Sequence, residues 1–230
     1  MKIAEPPNTW TNWSNVYDAD SRVLDSRILH PSVYSWSKRF VDVFGSCVGL
    51  VGLAVLFLPI AIAIRLDSPG SIFYKQKRCG LNGDCFTIYK FRTMVENAEQ
   101  LKNAVQNEAK GAIFKNQNDP RITRVGRFLR KTSLDELPQF WNVLQGEMSL
   151  VGTRPPTIDE VTHYSDRHWK RLNVKPGLTG EWQANGRSTV QDFEDIVSMD
   201  LHYQVRWSLM YDLVLIFKTV AALFSRSGAY

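Results

Sequence analysis

The chain has 230 residues, a formal net charge of +5 and 44% hydrophobic residues. That composition argues against wholesale disorder and fits one compact unit with a membrane element or a tail. The positive balance favours an anionic partner (a phosphate ligand, an anionic membrane surface or nucleic acid) without choosing among them. Three irregularly spaced cysteines, Cys47, Cys79 and Cys85, argue against a disulfide framework and for a reducing compartment. His30, His163, His168 and His202 show no ligand spacing.

Residues 1–37 read as a polar N-terminal arm with scattered Trp10, Trp13 and Tyr17, and with no apolar core of a cleavable leader. Residues 38–65 form the membrane element. Phe44 to Ile64 carries no charge and as a helix would extend roughly 30 Å, enough to cross the hydrocarbon core. Lys38 and Arg39 precede the run, and Arg65, Lys75, Lys77 and Arg78 follow it. Both flanks are positive, so neither end is marked for export, and Lys38 and Arg39 are expected to anchor at the membrane surface. Pro59 removes one helical hydrogen bond and favours a kink or break. Two topologies stay open: a helix that bends at Pro59 and returns to the same face, and one kinked spanning helix.

Residues 66–230 are expected to form a catalytic unit. Ser71–Tyr74 and Phe86–Tyr89 read as strands flanking a turn at Gly80–Gly83. The hairpin ends in Lys90-Phe91-Arg92, whose cations would share one face and suit a phosphate; a solvated basic strand end is the plain alternative. Met94 to about Asn116 reads as a polar helix or loop. Asp119-Pro120 predicts a helix start, with Arg121, Arg124, Arg127 and Arg130 at three-residue spacing. Such a basic amphipathic helix suits anionic headgroups or a solvated face equally.

Ser133-Leu134-Asp135-Glu136-Leu137-Pro138-Gln139 sets two adjacent carboxylates at the head of an apolar helix. Ser133 and Glu136 have capping-box spacing, and Asp135 suits the positive end of a helix dipole. Helix-terminal amides would also favour an ionised carboxylate, as a nucleophile or metal ligand requires. Arg154, in a Thr153-Arg154-Pro155-Pro156 turn, has the stiff backbone that suits bidentate phosphate binding. The closing segment, from Trp207, reads as an amphipathic helix interrupted by Lys218.

In this order, KRFVD (38–42), LDSPGSIFY (66–74), YKFRTM (89–94), DPRITRVGRFLRKTSLDELPQ (119–139), NVLQGEMSLVGTRP (142–155) and KPGLTGEWQANGRS (175–188) resemble the bacterial sugar transferase family, whose small members are monotopic phosphoglycosyl transferases. The resemblance implies a ping-pong reaction. Asp135 attacks the sugar-bearing phosphate of a UDP-sugar, UMP leaves, and undecaprenyl phosphate accepts the phosphosugar. Glucose or galactose is the expected sugar, in the first membrane step of exopolysaccharide, capsule or O-antigen synthesis. The resemblance also implies Mg²⁺ held by Asp135 and Glu136, with Glu136 as metal ligand or proton handler. Arg154 and Pro155 match a Pro-Arg-Pro motif implied in nucleotide or phosphate binding, and Lys90, Arg92 and Arg187 match basic positions near the site. Lys38, Arg39, Pro59, Arg121 and Arg124 would serve membrane attachment.

Two positions depart from the family pattern: Thr153 replaces the first proline of the motif, and Leu58 stands where a serine usually precedes the helix-breaking proline. The expected partners are the UDP-sugar, the polyprenol phosphate, the bilayer and a second copy of the chain, with no nucleic acid. The expected location is the inner membrane, facing the cytoplasm, as a minimal form without further N-terminal membrane helices. The fold class is α+β: a re-entrant membrane helix, amphipathic interfacial helices and a small β-hairpin. A non-catalytic phosphate-binding membrane protein and a metal-dependent hydrolase are the competing functions.

Overall fold

The computed structural model describes residues 29–114, 116, 118–185, 190 and 192–224. A single turn, α1 (Pro31–Tyr34), leads into α2 (Trp36–Asp67), whose first amides are capped by the Ser35 hydroxyl. An antiparallel hairpin follows, β1 (Phe73–Cys79) and β2 (Cys85–Phe91), in register from Phe73 opposite Phe91 to Cys79 opposite Cys85. The observed strands run longer than expected and enclose the expected turn. Next come α3 (Arg124–Thr132), a 3-10 segment over Leu134–Gln139 and α4 (Phe140–Gln145). The chain closes through β3 (Ser149–Val151), the single turns α5 (Ile158–Val161) and α6 (Asp166–Trp169), β4 (Gly177–Thr179), α7 (Glu181–Asn185), α8 (Phe193–Arg206) and α9 (Leu209–Phe224). Strands β3 and β4 pair in parallel. Gly152 and Gly177 let these backbones pass where a Cβ would collide.

Helix α2 has two apolar faces with different partners. Phe40, Phe44, Val48, Val51, Val55, Leu58, Ile62 and Leu66 recur every three or four residues and are all exposed. The opposite stripe meets the rest of the protein at nearly every turn. Asp42 accepts from the Ser149 hydroxyl at 2.9 Å and the Leu150 amide at 2.8 Å. Gly45 and Gly49 admit the side chains of Leu150 and Phe140. Leu53, Phe57, Ile60 and Ile64 join Phe91 and Leu129 in one apolar cluster. Asp67 accepts from the Val125 amide at 2.9 Å and so caps the start of α3. Of the expected kink or break at Pro59, the break does not occur: the helix continues through the proline. The inward stripe stays in phase on both sides of the proline, so tertiary packing outweighs one missing hydrogen bond.

Three basic residues expected at the membrane surface make contacts that hold the fold. Lys38 is 5% exposed and pairs with Asp212 at 2.6 Å, also donating to the Val151 carbonyl. Arg39 donates to the Val143 and Leu144 carbonyls, closing the end of α4. Arg121 is 6% exposed and clamped on Asp119. Because Asp119 is occupied in this way, the helix begins four residues later than expected, at Arg124 with Thr123 as its cap. Arg124 is exposed, as are Arg127 and Phe128 beside it. Met94 to Phe114 is mainly turns and irregular backbone, with a short 3-10 turn at Lys102–Ala104.

Candidate active site

Helix α3 ends at Ser133, which takes a left-handed conformation (φ 55°) and donates its amide to the carbonyls of Arg130 and Leu129. With its backbone so placed, Ser133 makes no side-chain cap, and the expected capping box with Glu136 does not form. The reversal throws Leu134–Gln139 across β2 as a 3-10 turn. Leu134 and Leu137 drop into the cluster formed by Ile60, Ile64, Phe91 and Leu129. Between those two anchors sit Asp135, 5% exposed, and Glu136. The dyad therefore rests on the last turns of α2. Asn142 ties α4 to β2, donating to the Thr87 carbonyl at 2.7 Å and accepting from the Tyr89 amide at 3.3 Å.

Lys90, near the end of β2, reaches Glu136 at 2.7 Å. Asp135, Glu136, Lys90 and Arg154 all line one cavity of about 1600 Å³. Arg154 forks onto Glu160 at 2.9 and 3.3 Å. Burial opposes ionisation of Glu160, but the Arg154 guanidinium overrides it and holds the carboxyl below its usual range. Glu160 is itself fixed by a capping box with Thr157 at the start of α5. The Arg154 fork is thus pre-set at the cavity wall.

Arg92 lines the same cavity, and its terminal nitrogens donate to the carbonyls of Ser68 and Pro69, tying down the loop that follows α2. Pro155 is buried, and its carbonyl accepts from Arg78 at 2.9 Å. Arg187 lies outside the described residues. Arg78, which sequence reading counted only as flanking positive charge, lines the cavity as well.

Residues 33–226 match the family described as bacterial sugar transferase. The chain belongs to that family. It is 46% identical over 195 residues to the galactosyl transferase CpsE of Streptococcus agalactiae serotype III, covering 84% of this chain and 43% of that protein. It is 43% identical to the exopolysaccharide production protein ExoY of Sinorhizobium fredii, covering 84% of this chain and 88% of the relative. It is 39% identical to the UDP-glucose:undecaprenyl-phosphate glucose-1-phosphate transferase of Escherichia coli, covering 84% of this chain and 41% of the relative. The chain thus spans less than half of the Streptococcus and Escherichia proteins and most of ExoY. As a sugar transferase, the protein is an enzyme of group transfer, which sets aside the non-catalytic binding protein.

The donor set tests whether Mg²⁺ fits. Among the described residues, no three His, Cys, Asp or Glu side chains form a metal-sized group. The dyad offers two adjacent carboxylates. Mg²⁺ is commonly bound by one or two carboxylates with substrate phosphates and water completing its shell. Asp135 and Glu136 therefore fit an ion that is completed by a diphosphate.

Proposed function

We propose that this sugar transferase moves a sugar-1-phosphate, glucose or galactose phosphate, from a UDP-sugar to undecaprenyl phosphate in exopolysaccharide or capsule synthesis. The observation that carries the reading is a buried aspartate opening on a cation-lined cavity and resting directly on the exposed apolar helix. A nucleotide donor reaches such a site from water and a lipid phosphate reaches it from the membrane surface.

In this reading an Asp135 oxygen attacks the sugar-bearing phosphorus. The bond to the bridging oxygen breaks, and UMP leaves with that oxygen and the electron pair. An oxygen of the lipid phosphate then attacks the same phosphorus, and the Asp135 carboxylate departs unchanged. Phosphoryl transfer depends chiefly on alignment and on neutralising charge. Lys90 fixes Glu136 beside the nucleophile, and Arg154, pre-set by Glu160, neutralises phosphate oxygens. Mg²⁺ bound by the dyad would supply further neutralisation of the diphosphate.

Membrane attachment on one face is part of the proposal. Both ends of α2 are tied to the same domain, through Lys38 and Asp42 at one end and Asp67 at the other. This supports a helix that dips into one leaflet and leaves by the same side. Exposed Lys75, Lys77, Arg124 and Arg127 favour the cytoplasmic face.

The test is UMP release from a panel of UDP-sugars with Mg²⁺ and undecaprenyl phosphate in detergent, wild type beside Asp135→Asn. Lipid-dependent release that falls at least about 10⁴-fold in the variant is expected. Full release by a folded Asp135→Asn protein rules out the nucleophile.

A further inference from the structure

Charge is unevenly matched where β1 meets the Arg154 turn. Arg154 has Glu160, and behind it Arg171 has Asp200 at 2.7 Å. Arg78 has neither: among the described residues its partners are neutral. Its Nε and Nη2 donate to the Gln76 amide oxygen at 3.0 and 2.7 Å, and its Nη1 donates to the Pro155 carbonyl at 2.9 Å. These bonds use three of the five guanidinium N–H groups and leave one on each terminal nitrogen.

The placement is rigid. Arg78 pairs with Phe86 across the hairpin and bridges to Thr157, and the neighbouring Cys79 amide donates to the Pro156 carbonyl. Strand β1 is therefore stitched to the 154–157 turn, and Arg78 and Arg154 stand at one wall of the cavity that holds the dyad. Burial, and then the like charge of Arg154, draw the Arg78 pKa down to about 10, against the opposing pull of the Glu160 and Glu136 carboxylates. A charge held there is costly, and an anion between the two guanidinium groups would offset the cost. A mere tie between strand and turn needs hydrogen bonds only, which a neutral donor could make.

We propose that Arg78 binds a phosphate of the donor diphosphate together with Arg154, with Gln76 and the Pro155 carbonyl aiming its fork. The proposal rests on the sugar-phosphate transfer reading of the site. Arg92 lines the same cavity but is tied to the Ser68 and Pro69 carbonyls of the loop after α2, whereas Arg78 is tied to the turn that carries Arg154.

Titration calorimetry of the full chain in detergent, with UDP and with inorganic diphosphate, tests this in wild type, Arg78→Gln and Arg78→Lys, with thermal unfolding measured alongside. We expect UDP binding to weaken about 10- to 100-fold in Arg78→Gln and by an intermediate factor in Arg78→Lys, which keeps the charge and loses the fork. KM for the UDP-sugar should rise by a similar factor, with kcat changing less. Unchanged UDP affinity in folded Arg78→Gln overturns the assignment, as does a wild type that binds neither UDP nor diphosphate. Should Arg78→Gln fail to fold, wild-type affinity in Arg78→Lys overturns it and weakened affinity supports it. UMP release separates the two readings. Wild-type release with unaltered variant binding removes the Arg78 role alone. Arg78-dependent diphosphate binding without any release removes the transferase reading alone.

Discussion

Lys38→Met distinguishes a buried structural cation from a headgroup anchor. The Lys38 ammonium donates to Asp212 at 2.6 Å, the Val151 carbonyl at 2.9 Å and the Tyr203 hydroxyl at 3.4 Å. Without it, the Trp207 indole still donates to Asp212 at 3.2 Å, and the one Tyr203 hydroxyl proton serves either Asp212 at 2.8 Å or the Val151 carbonyl at 3.2 Å. The loss therefore falls on charge: Asp212 is 2% exposed and becomes an uncompensated carboxylate. Removing one partner of a buried pair costs about 3–5 kcal/mol. For a chain of this length that lowers Tm by roughly 6–20 °C. A lysine serving only as a lipid contact would instead weaken attachment to an anionic surface by about 1 kcal/mol and leave the fold intact. Thermal unfolding in detergent, with sedimentation on anionic vesicles, separates the two. Adding Asp212→Asn to Lys38→Met should restore part of the lost Tm, because the stranded charge is then gone. A Tm within ~3 °C of wild type, together with weaker vesicle binding, would refute the structural role.

Two further outcomes follow from local geometry. Gly126→Ala would drive a Cβ into the Thr93 carbonyl, where backbone meets backbone. We expect a loss of about 1–3 kcal/mol in denaturant unfolding, whereas the usual helix gain from alanine would show that α3 and the segment after β2 are not in close approach. Burial, with Cys85 opposite, pushes the Cys79 thiol up to about 11, while Cys85 is exposed. Alkylation at pH 8 followed by peptide mass spectrometry should therefore modify Cys85 well before Cys79. Equal rates would mean that the hairpin end is open.

Much of the scaffold was legible because its signals are local. Turn residues at Gly80–Gly83 between apolar strands announced the hairpin, and an uncharged run announced α2. What could not be read was which charges the fold consumes. Lys38 and Asp212 are 174 positions apart, so no window around the apolar run reveals that its leading lysine is buried. The positive-flank rule reports sign and proximity, not burial. Asp119 has the chemistry of a helix cap, yet its carboxylate is clamped by Arg121, and Thr123 takes the capping role four residues later. The dyad was legible only through family resemblance. Its spacing is that of a capping box, and the left-handed turn at Ser133 that voids the box is invisible in composition. The KPGLTG segment, matched only through the family resemblance, places Gly177 where β3 and β4 run too close for side chains.

The contacts of α2 bear on how the site can reach a lipid. Spanning a hydrocarbon core takes about 20 residues free of water-soluble protein on every side. Along α2, from Lys38 to Asp67, packing contacts recur at intervals of about one turn: Lys38, Asp42, Gly45, Gly49, Leu53, Phe57, Ile60, Ile64. A stretch of that length with no contact does not exist. The exposed stripe opposite must nonetheless be covered, since a row from Phe40 to Leu66 is too apolar for water. A helix laid into one leaflet along the flank of its own domain satisfies both conditions. The consequence for chemistry is direct. Ile60 and Ile64 support Leu134 and Leu137, the residues on either side of Asp135 and Glu136. On the proposed function, the depth at which α2 settles in a leaflet would set the height of the dyad, and a lipid phosphate at headgroup level would meet Asp135 without leaving the membrane.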